Sequence, residues 1–395
     1  MIAPFSIARL PRIEFGAGRL AKVPELAARY GTRALIVTGG QSLRQTEHWE
    51  SLTGALSERG MTWKDFPVND EPSPKLVDHA VRGFLDEHID VVLGIGGGSV
   101  LDAAKAIAGL LPRGGSVMDH LEGVGPEKPY EGPSLPYIAV PTTAGTGSEA
   151  TKNAVLSERG AHGFKKSFRD EQLVPQYAVV DPELLTSCPP DLIAANGMDA
   201  LTQLLESYVS LKANPFTDAL ALSGLAAVRD GLLAWYETGP EAAAARGQMA
   251  YAALISGITL AQCGLGSVHG LASPLGAFST IPHGVACGTM VATCTDLNIR
   301  AMREREPNHP ALGKYAAVGA LFTGKHYEHR EEAWVALLEI LSDWTYRMKL
   351  PTLSEYGIGE TDIGRIVANS RGSSMKTNPI VLTDAEIGEI LRARL

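Results

Sequence analysis

The chain has 395 residues, of which 45% are hydrophobic and 20% are charged, and its formal net charge is −9. This length allows two or three domains of ordinary size, and this composition is that of a globular protein with a large core. The acidic balance, without blocks of like charge, argues against nucleic acid and anionic membranes as partners. It favours a small, neutral or weakly charged substrate.

The N-terminal residues and the cysteines indicate a cytoplasmic protein. Residues 1–12 contain no apolar run of signal-peptide length, and no stretch reaches the roughly 18 apolar residues of a membrane span. The four cysteines form no C-x-x-C pair, so neither a redox pair nor a thiolate zinc site is indicated. We therefore expect reduced thiols, a cytoplasmic location and no membrane partner.

The first half of the chain alternates short β-branched runs with helical patterns. Glycine or proline follows each run, which is typical of a parallel sheet with crossover helices. The predicted strands are Ala34–Thr38, Asp90–Ile95, Tyr137–Val140 and Ala178–Asp181, and helices are predicted at Lys75–His88 and Val100–Leu111.

Beyond Pro182 the pattern changes, because strand-like runs become rare and helix-period patterns rich in alanine and leucine follow. Examples are Ala200–Leu211, Thr217–Trp235 and Ala242–Ala261. We predict an α/β domain of residues 1–182 followed by an all-α domain of residues 183–395.

Two glycine-rich turns are candidates for phosphate binding. Gly96-Gly97-Gly98-Ser99 follows a buried strand and opens a helix, and residues 141–149 (P-T-T-A-G-T-G-S-E) follow the next strand. Glycine lets the backbone approach a pyrophosphate, and helix N-terminal amides point at its oxygens. Neither turn is a strict G-x-G-x-x-G, so tight turns without a ligand stay an alternative, and the residues alone indicate a nucleotide or phosphate ligand.

Several segments together resemble the iron-containing, group III, alcohol dehydrogenase family. The triple-glycine segment with Asp102 and Lys105 is similar to the family's G-G-G-S-x-x-D-x-x-K, and residues 141–149 match its P-T-T-A-G-T-G-S-E. Further matches are residues 197–202 (G-M-D-A-L-T), 264–270 (G-L-G-S-V-H-G), 282–285 (P-H-G-V) and 377–379 (T-N-P). The resemblance runs from about Ile13 to the end of the chain.

This resemblance implies a fold, an activity and a set of cofactors. The fold is a Rossmann-like dinucleotide-binding domain with a parallel sheet, followed by a helical domain, in the architecture of dehydroquinate synthase, with the active site in the cleft between the domains. The activity is hydride transfer between NAD(P)(H) and a small alcohol or aldehyde, with the oxygen polarised by a divalent metal, Fe or Zn. Relatives are commonly dimers, so we expect a homodimer.

The resemblance also assigns cofactor residues. Lys165 is expected to contact the cofactor, and Asp102 is expected to shape its turn. After the first strand, Gly39, Gly40 and Ser42 offer no carboxylate that would repel a 2′-phosphate, and Arg44 lies nearby in sequence, so we lean towards NADP(H). The residues expected at the pyrophosphate are Gly96, Gly97, Gly98, Ser99, Thr142, Thr143 and Thr146.

At the metal site the chain departs from the family's usual one aspartate and three histidines. Asp199, His269 and His283 match, but Gln203 replaces the histidine four residues after the aspartate. Two imidazoles and a carboxylate can hold Fe(II) or Zn(II), and Gln203 could add a weak carbonyl ligand. Ser273 also replaces the histidine thought to relay protons in many relatives.

Three alternatives remain open. One is a metal-free site resembling that of maleylacetate reductase, in which His269 or His283 donates the proton. A second is a lyase resembling dehydroquinate synthase, although such enzymes need several basic residues for a sugar phosphate. The third is a nucleotide-binding protein without catalysis, favoured by Gln203 and Ser273.

Overall fold

The structure, a computed structural model, describes residues 2–41, 43–160 and 163–395. The chain forms two compact units, which we call the α/β unit (Ala8–Glu158 and Lys165–Cys188) and the helical unit (Met1–Ile7, Arg159–Phe164 and Pro189–Leu395). The sequence placed the division after residue 182, whereas the chain enters the helical unit at Pro189. Two short outlying segments also belong to the helical unit, and no local sequence pattern indicated them.

Six strands of the α/β unit form a parallel sheet in the order β1-β8-β5-β4-β2-β3. Strands β4, β5 and β8 are buried at every position, as their unbroken apolar runs require. This sheet confirms the predicted Rossmann-like fold class. The strands are β1 (Arg12–Phe15), β2 (Arg33–Thr38), β3 (Thr62–Pro67), β4 (Val91–Gly96), β5 (Tyr137–Pro141), β6 (Asn153–Glu158), β7 (Phe164–Arg169) and β8 (Tyr177–Val180).

The direction in which the sheet grows reverses between β2 and β4. From β2 the chain moves outward to β3, and it then returns to place β4 on the other side of β2. In open parallel sheets, ligands bind outside the carboxyl ends of the strands at such a reversal. The helices of this unit are α1 (Val23–Ala28), α2 (Glu47–Glu58), α3 (Pro74–Phe84) and α4 (Gly98–Leu110).

Strands β6 and β7 form a separate two-stranded sheet. β6 lies against α4, and Phe168 of β7 forms an isolated antiparallel bridge with Leu121. This small sheet therefore borders the helix that follows the triple-glycine turn.

The helical unit is organised around α5, whose residues are buried from Gly197 to Val209 and which contacts α6, α7 and α9. Several helices begin with proline, which suits the first helical position, and Asn214 and Thr383 form capping boxes at α6 and α13. The helices are α5 (Pro190–Val209), α6 (Pro215–Thr238), α7 (Ala243–Cys263), α8 (Ser267–Phe278), α9 (His283–Arg305), α10 (Pro310–Thr323), α11 (Arg330–Arg347), α12 (Glu360–Ala368) and α13 (Asp384–Arg392).

Across the described ranges, no single helix has both the length and the apolar character that crossing a bilayer requires. By length and composition alone, α7 and α8 pass that test as a pair, with a bend of 100° at the break between them. All four cysteines are free thiols.

Candidate active site

The two glycine turns lie side by side at the carboxyl ends of β4 and β5. These strands are parallel neighbours with Gly96 opposite Pro141, and the Thr142 amide donates to the Gly96 carbonyl over 3.0 Å. A Cβ at Gly98 would lie 2.5 Å from Thr146 Cγ2, so the turns come this close because residue 98 is glycine. The structure thus brings together Gly96, Gly97, Gly98, Ser99, Thr142, Thr143 and Thr146.

Helix α4 begins within the first of these turns. Its N-cap, Gly97, has no side chain that could occupy the first amides of the helix. Such amides carry partial positive charge and bind phosphate oxygens. The geometry fits a pyrophosphate, and the cofactor roles of these residues stay predictions.

A fully buried lysine, Lys105, ties α4 to the second turn. Its ammonium donates to the Ser148 carbonyl over 2.8 Å, to Thr151 Oγ1 over 2.9 Å and to the Asn153 carbonyl over 2.7 Å. Ser148 Oγ donates in turn to the Asp102 carboxylate over 2.5 Å. Burial lowers the pKa of Lys105 to about 8 and raises the pKa of Asp102. Asp102 therefore shapes the turn, as predicted.

Gly39 and Gly40 follow β2, at the reversal of the sheet. A Cβ at Gly40 would lie 3.2 Å from Asn69 Oδ1, which belongs to the loop after β3, so this corner leaves little space for a side chain. Ser42, the third residue predicted here, lies outside the described residues.

The Arg44 side chain lies beside this corner. Its guanidinium donates to Thr38 Oγ1 over 3.2 Å, pairs with the Asp65 carboxylate at 3.3 Å and lies 4.7 Å from the centroid of the Trp49 ring. These contacts hold the arginine at the carboxyl end of β2. A role of Arg44 in the choice between NAD(H) and NADP(H) stays a prediction.

Lys165, predicted to contact the cofactor, lies on β7. Its ammonium is 2.8 Å from the Glu71 carboxylate, which also accepts from Ser157 Oγ over 2.8 Å. Glu71 follows β3, so Lys165 lies near the carboxyl edge of the sheet.

In the helical unit, four side chains converge on one point. Asp199, His269, His283 and Cys287 each offer one ligand atom, and all four atoms lie within 4.8 Å of one another. Asp199 Oδ1 is 3.2 Å from His269 Nε2 and 3.7 Å from His283 Nε2. His283 alone of the four is partly exposed, so the cluster opens to its surroundings on that side. The structure thus joins three of the predicted metal ligands to a cysteine.

Close helix packing makes this convergence possible. His283 and Cys287 lie four residues apart on α9 and share one helix face. The next residues, Gly284 and Gly288, contact α5. A Cβ at Gly288 would lie 2.8 Å from Met198 Cβ, and one at Gly284 would clash with the Ala195 carbonyl. The glycines therefore let α9 approach the helix that carries Asp199.

Gln203 lies beside the cluster as a hydrogen-bond partner of Asp199. Its amide nitrogen donates to Asp199 Oδ2 over 3.1 Å, and its oxygen accepts from Ser256 Oγ over 2.6 Å. The reverse amide orientation would set its oxygen against the carboxylate, so this assignment follows from the partners. Metal binding by Gln203 itself stays a prediction.

Glu206 binds the ring nitrogen of His269 that faces away from the cluster. Glu206 Oε2 lies 2.7 Å from His269 Nδ1, and Oε1 accepts from the Val268 amide over 2.6 Å, at the start of α8. An ionised carboxylate only accepts, so Nδ1 carries the proton and Nε2 is turned towards Asp199. A Cβ at Gly266 would lie 2.9 Å from Glu206 Oε1, so glycine there makes room for the carboxylate.

The cluster shifts the pKa values of its members. Burial by itself would lower the pKa of His269, but the Cys287 sulfur and the Asp199 and Glu206 carboxylates raise it well above 6.5. Burial raises the pKa of Cys287 to about 12. Although burial opposes it, the two histidines lower the pKa of Asp199. The group is thus a charge-compensated polar cluster inside an apolar helical unit.

The donor atoms fit a divalent metal ion. A buried carboxylate, two imidazoles and a thiol, whose ligand atoms lie within 4.8 Å of one another, are a set that binds Zn(II) or Fe(II). An imidazole whose far nitrogen donates to a carboxylate is a common arrangement at protein-bound metals.

Two residues of this site were not predicted from the sequence. Glu206 shares a face of α5 with Asp199 and Gln203, and three polar residues on one face of a largely buried helix were a usable signal. No role at the metal site was predicted for Cys287. Its spacing of four residues from His283 was the signal that it shares that histidine's helix face.

Comparison with known proteins identifies the family. The model described as "Iron-containing alcohol dehydrogenase" matches residues 11–182, and the one described as "Fe-containing alcohol dehydrogenase family, C-terminal" matches residues 193–395. The chain belongs to the iron-containing alcohol dehydrogenase family. This confirms the predicted family and the predicted enzyme class, an oxidoreductase acting as an alcohol dehydrogenase.

Relatives of known function share about a third of the sequence. The chain is 33% identical to alcohol dehydrogenase 4 of Schizosaccharomyces pombe over 385 residues, covering 96% of this chain and 87% of the relative. It is 30% identical to NAD-dependent methanol dehydrogenase of Bacillus methanolicus, covering 98% of each chain. It is 31% identical to NADPH-dependent butanol dehydrogenase of Clostridium saccharobutylicum, covering 89% of this chain and 87% of the relative.

A solved structure shares the fold over the whole chain. An archaeal halo-thermophilic alcohol dehydrogenase from a Red Sea brine pool superposes with a TM-score of 0.91 at 27% identity, covering 100% of this chain and 99% of that one. The two glycine turns and the cluster of Asp199, His269, His283 and Cys287 are therefore interpreted as parts of an iron-containing alcohol dehydrogenase.

Proposed function

We propose that this enzyme interconverts small alcohols and aldehydes with NAD(P)(H), using a divalent metal ion held by Asp199, His269 and His283. The convergence of these three side chains on one buried point carries the proposal. The relatives named for methanol and butanol support a small substrate, and their names include both NAD and NADPH. That all three named relatives are dehydrogenases favours this activity over the lyase alternative.

The chain's own residues prepare the site for this reaction. A bound ion supplies Lewis acidity to a carbonyl or alcohol oxygen, and the nicotinamide supplies or accepts the hydride. Glu206 fixes the tautomer of His269, and the Gln203 amide holds the second oxygen of Asp199, so both side chains keep their donor atoms aimed at the same point. His283 is partly exposed, so we expect the substrate to reach the cluster from its side.

Metal removal tests the proposal. After extraction with a chelator, aldehyde reduction is expected to fall at least about a hundredfold and to return with Zn(II) or Fe(II), because Lewis acidity contributes several kcal/mol. His283→Ala is expected to lower kcat/KM by about a thousandfold, and the exposed helical His79→Ala serves as its control.

The outcomes separate the alternatives. A fully active metal-free wild type together with an inactive His283→Ala variant contradicts the metal and supports a histidine proton donor. Full activity in a metal-free His283→Ala enzyme contradicts both.

We further propose a preference for NADP(H). Residues 39–42, directly after β2, include no carboxylate, and Thr38 and Asp65 hold Arg44 at that corner, where its guanidinium suits a 2′-phosphate. Arg44→Ala is expected to raise the KM for NADPH about tenfold, the loss of one charge-assisted hydrogen bond, and to leave the KM for NADH nearly unchanged. Arg59→Ala, at the C-terminal end of α2, is the control. Equal effects on both cofactors contradict this preference.

We also propose a homodimer. Strand β1 is an edge of the sheet, and its Ile13 and Phe15 are 39% and 37% exposed. The unpaired backbone groups of an exposed edge strand are a template for pairing with another chain, and apolar side chains on it favour such pairing. Light scattering is expected to give twice the mass of the chain, 41.9 kDa, and a mass of one chain at micromolar concentration overturns the proposal.

A further inference from the structure

We infer that Cys287 is a ligand of the metal ion and takes the place of the imidazole that Gln203 does not provide. This inference rests on the proposed metal-dependent function and assigns a donor set of one carboxylate, two imidazoles and one thiolate. On binding, the Cys287 Sγ–H bond breaks, the sulfur binds the ion and the proton passes to solvent.

Four of the six distances among the ligand atoms are close to those of a tetrahedral ligand set. Bond lengths of about 2.0–2.1 Å to nitrogen or oxygen and 2.3 Å to sulfur give tetrahedral edges of about 3.4 Å and 3.5 Å, respectively. Cys287 Sγ lies 3.7 Å from His269 Nε2 and 3.9 Å from His283 Nε2. With the separations of 3.2 Å and 3.7 Å from Asp199 Oδ1 to the histidines, four of the edges lie within about 0.4 Å of these values.

Gln203 does not compete for this position. Its oxygen accepts from Ser256, and its amide nitrogen donates to Asp199, so a donor group of Gln203 points into the cluster. A cation requires an acceptor there, and turning the amide would lose the hydrogen bond to Asp199 and set the amide oxygen against the carboxylate. Cys287 Sγ is the fourth ligand atom of the cluster formed with Asp199, His269 and His283, and it takes the position in question.

The thiolate changes the chemistry of the site. With Asp199 it contributes two negative charges, which match a divalent ion, and sulfur favours Zn(II) over Fe(II) compared with imidazole. We therefore expect the purified enzyme to prefer Zn(II), although its family is named for iron.

Cobalt spectroscopy tests the inference independently of turnover. Metal-depleted enzyme is titrated with Co(II), and the near-ultraviolet sulfur-to-cobalt charge-transfer band is recorded for the wild type, Cys287→Ser and Cys294→Ser. Cys294 is the matched control, because it is a buried free thiol on the same helix, outside the ligand group. The band is expected in the wild type and in Cys294→Ser, and is expected to disappear in Cys287→Ser, with cobalt affinity reduced at least tenfold.

A second measurement uses only the wild type, in case Cys287→Ser does not fold. X-ray absorption of the zinc-loaded enzyme is expected to show one sulfur at about 2.3 Å. Cobalt or zinc binding without a sulfur ligand overturns this inference and leaves the proposed function standing. Failure of the wild type to bind either ion overturns both.

Discussion

The α/β unit and the helical unit build their candidate binding surfaces from different parts of the chain. In the α/β unit the candidate surface consists of the first amides of α4, which the glycine N-cap leaves uncovered, and the threonines of the adjacent turn. In the helical unit, glycines bring helices close together, and buried side chains provide the donor atoms. A binding surface made of backbone amides can be recognised from a short sequence motif. A binding surface made of side chains depends on residues that are far apart in the sequence.

In both units, nevertheless, a buried charged residue lies beneath the candidate binding surface and hydrogen-bonds the residues that form it. Lys105 anchors the second turn, and Glu206 orients His269 and caps α8. Neither needs to touch a ligand, so each is a positioning residue. The comparison predicts that loss of Lys105 mainly lowers stability and that loss of Glu206 mainly lowers metal affinity.

The largest expected effect is that of Lys105→Met. The variant leaves the buried Asp102 carboxylate without its cation, which is expected to lower the free energy of unfolding by about 3–5 kcal/mol. Urea denaturation followed by circular dichroism measures this loss. The double variant with Asp102→Asn is expected to recover part of it, and an equal loss in both would show that the isolated charge is not the cause.

The next effect is that of Glu206→Gln. A glutamine cannot accept from both the Val268 amide and His269 Nδ1 through suitably placed oxygens, so His269 is left with the wrong tautomer or α8 loses its cap. Metal affinity is expected to fall about 10–100-fold in a chelator competition. Thr202→Ala, which removes a buried hydroxyl bonded within the same helix, is the control. Unchanged affinity would remove the contrast between the two units.

The smallest effect is a pH dependence caused by Glu149 in the second turn. Burial raises its pKa from 4.5 to about 7, so the folded protein holds this proton more tightly than the unfolded chain. Its contribution to stability is complete below pH 4.5 and is lost as the pH rises through 7. Between pH 5 and 6.5, the stability of the wild type relative to Glu149→Gln is expected to fall by about 1–2 kcal/mol. A constant difference would contradict the raised pKa.

The sequence predicted the central strands better than the edge strands. β2, β4, β5 and β8 are nearly continuous apolar runs, because they are buried on both faces. β1 and β3 are mostly exposed, and β6 and β7 belong to a small, half-buried sheet, so their sequences carry no clear period. Their pairing is set by the rest of the unit rather than by local preference.

The candidate site was predicted in the same uneven way. The resemblance supplied Asp199, His269 and His283, and the structure brings them together. Cys287 and Glu206 were missed because a cysteine or a glutamate in a helix has many ordinary roles. Only the packing of α9 against α5 and of α8 against α9 reveals that these two meet the histidines.

Glu206 has two structural roles, and these limit which substitutions the site can accept during evolution. The carboxylate that orients His269 also holds the first turn of α8, in space that Gly266 leaves open. A new residue at position 269 would therefore disturb the start of a helix as well as a ligand. Positions 203 and 287 lie beyond the first turns of α5 and α9, so a ligand exchanged there leaves the start of its helix undisturbed, and position 203 is where this chain departs from the family's ligand set.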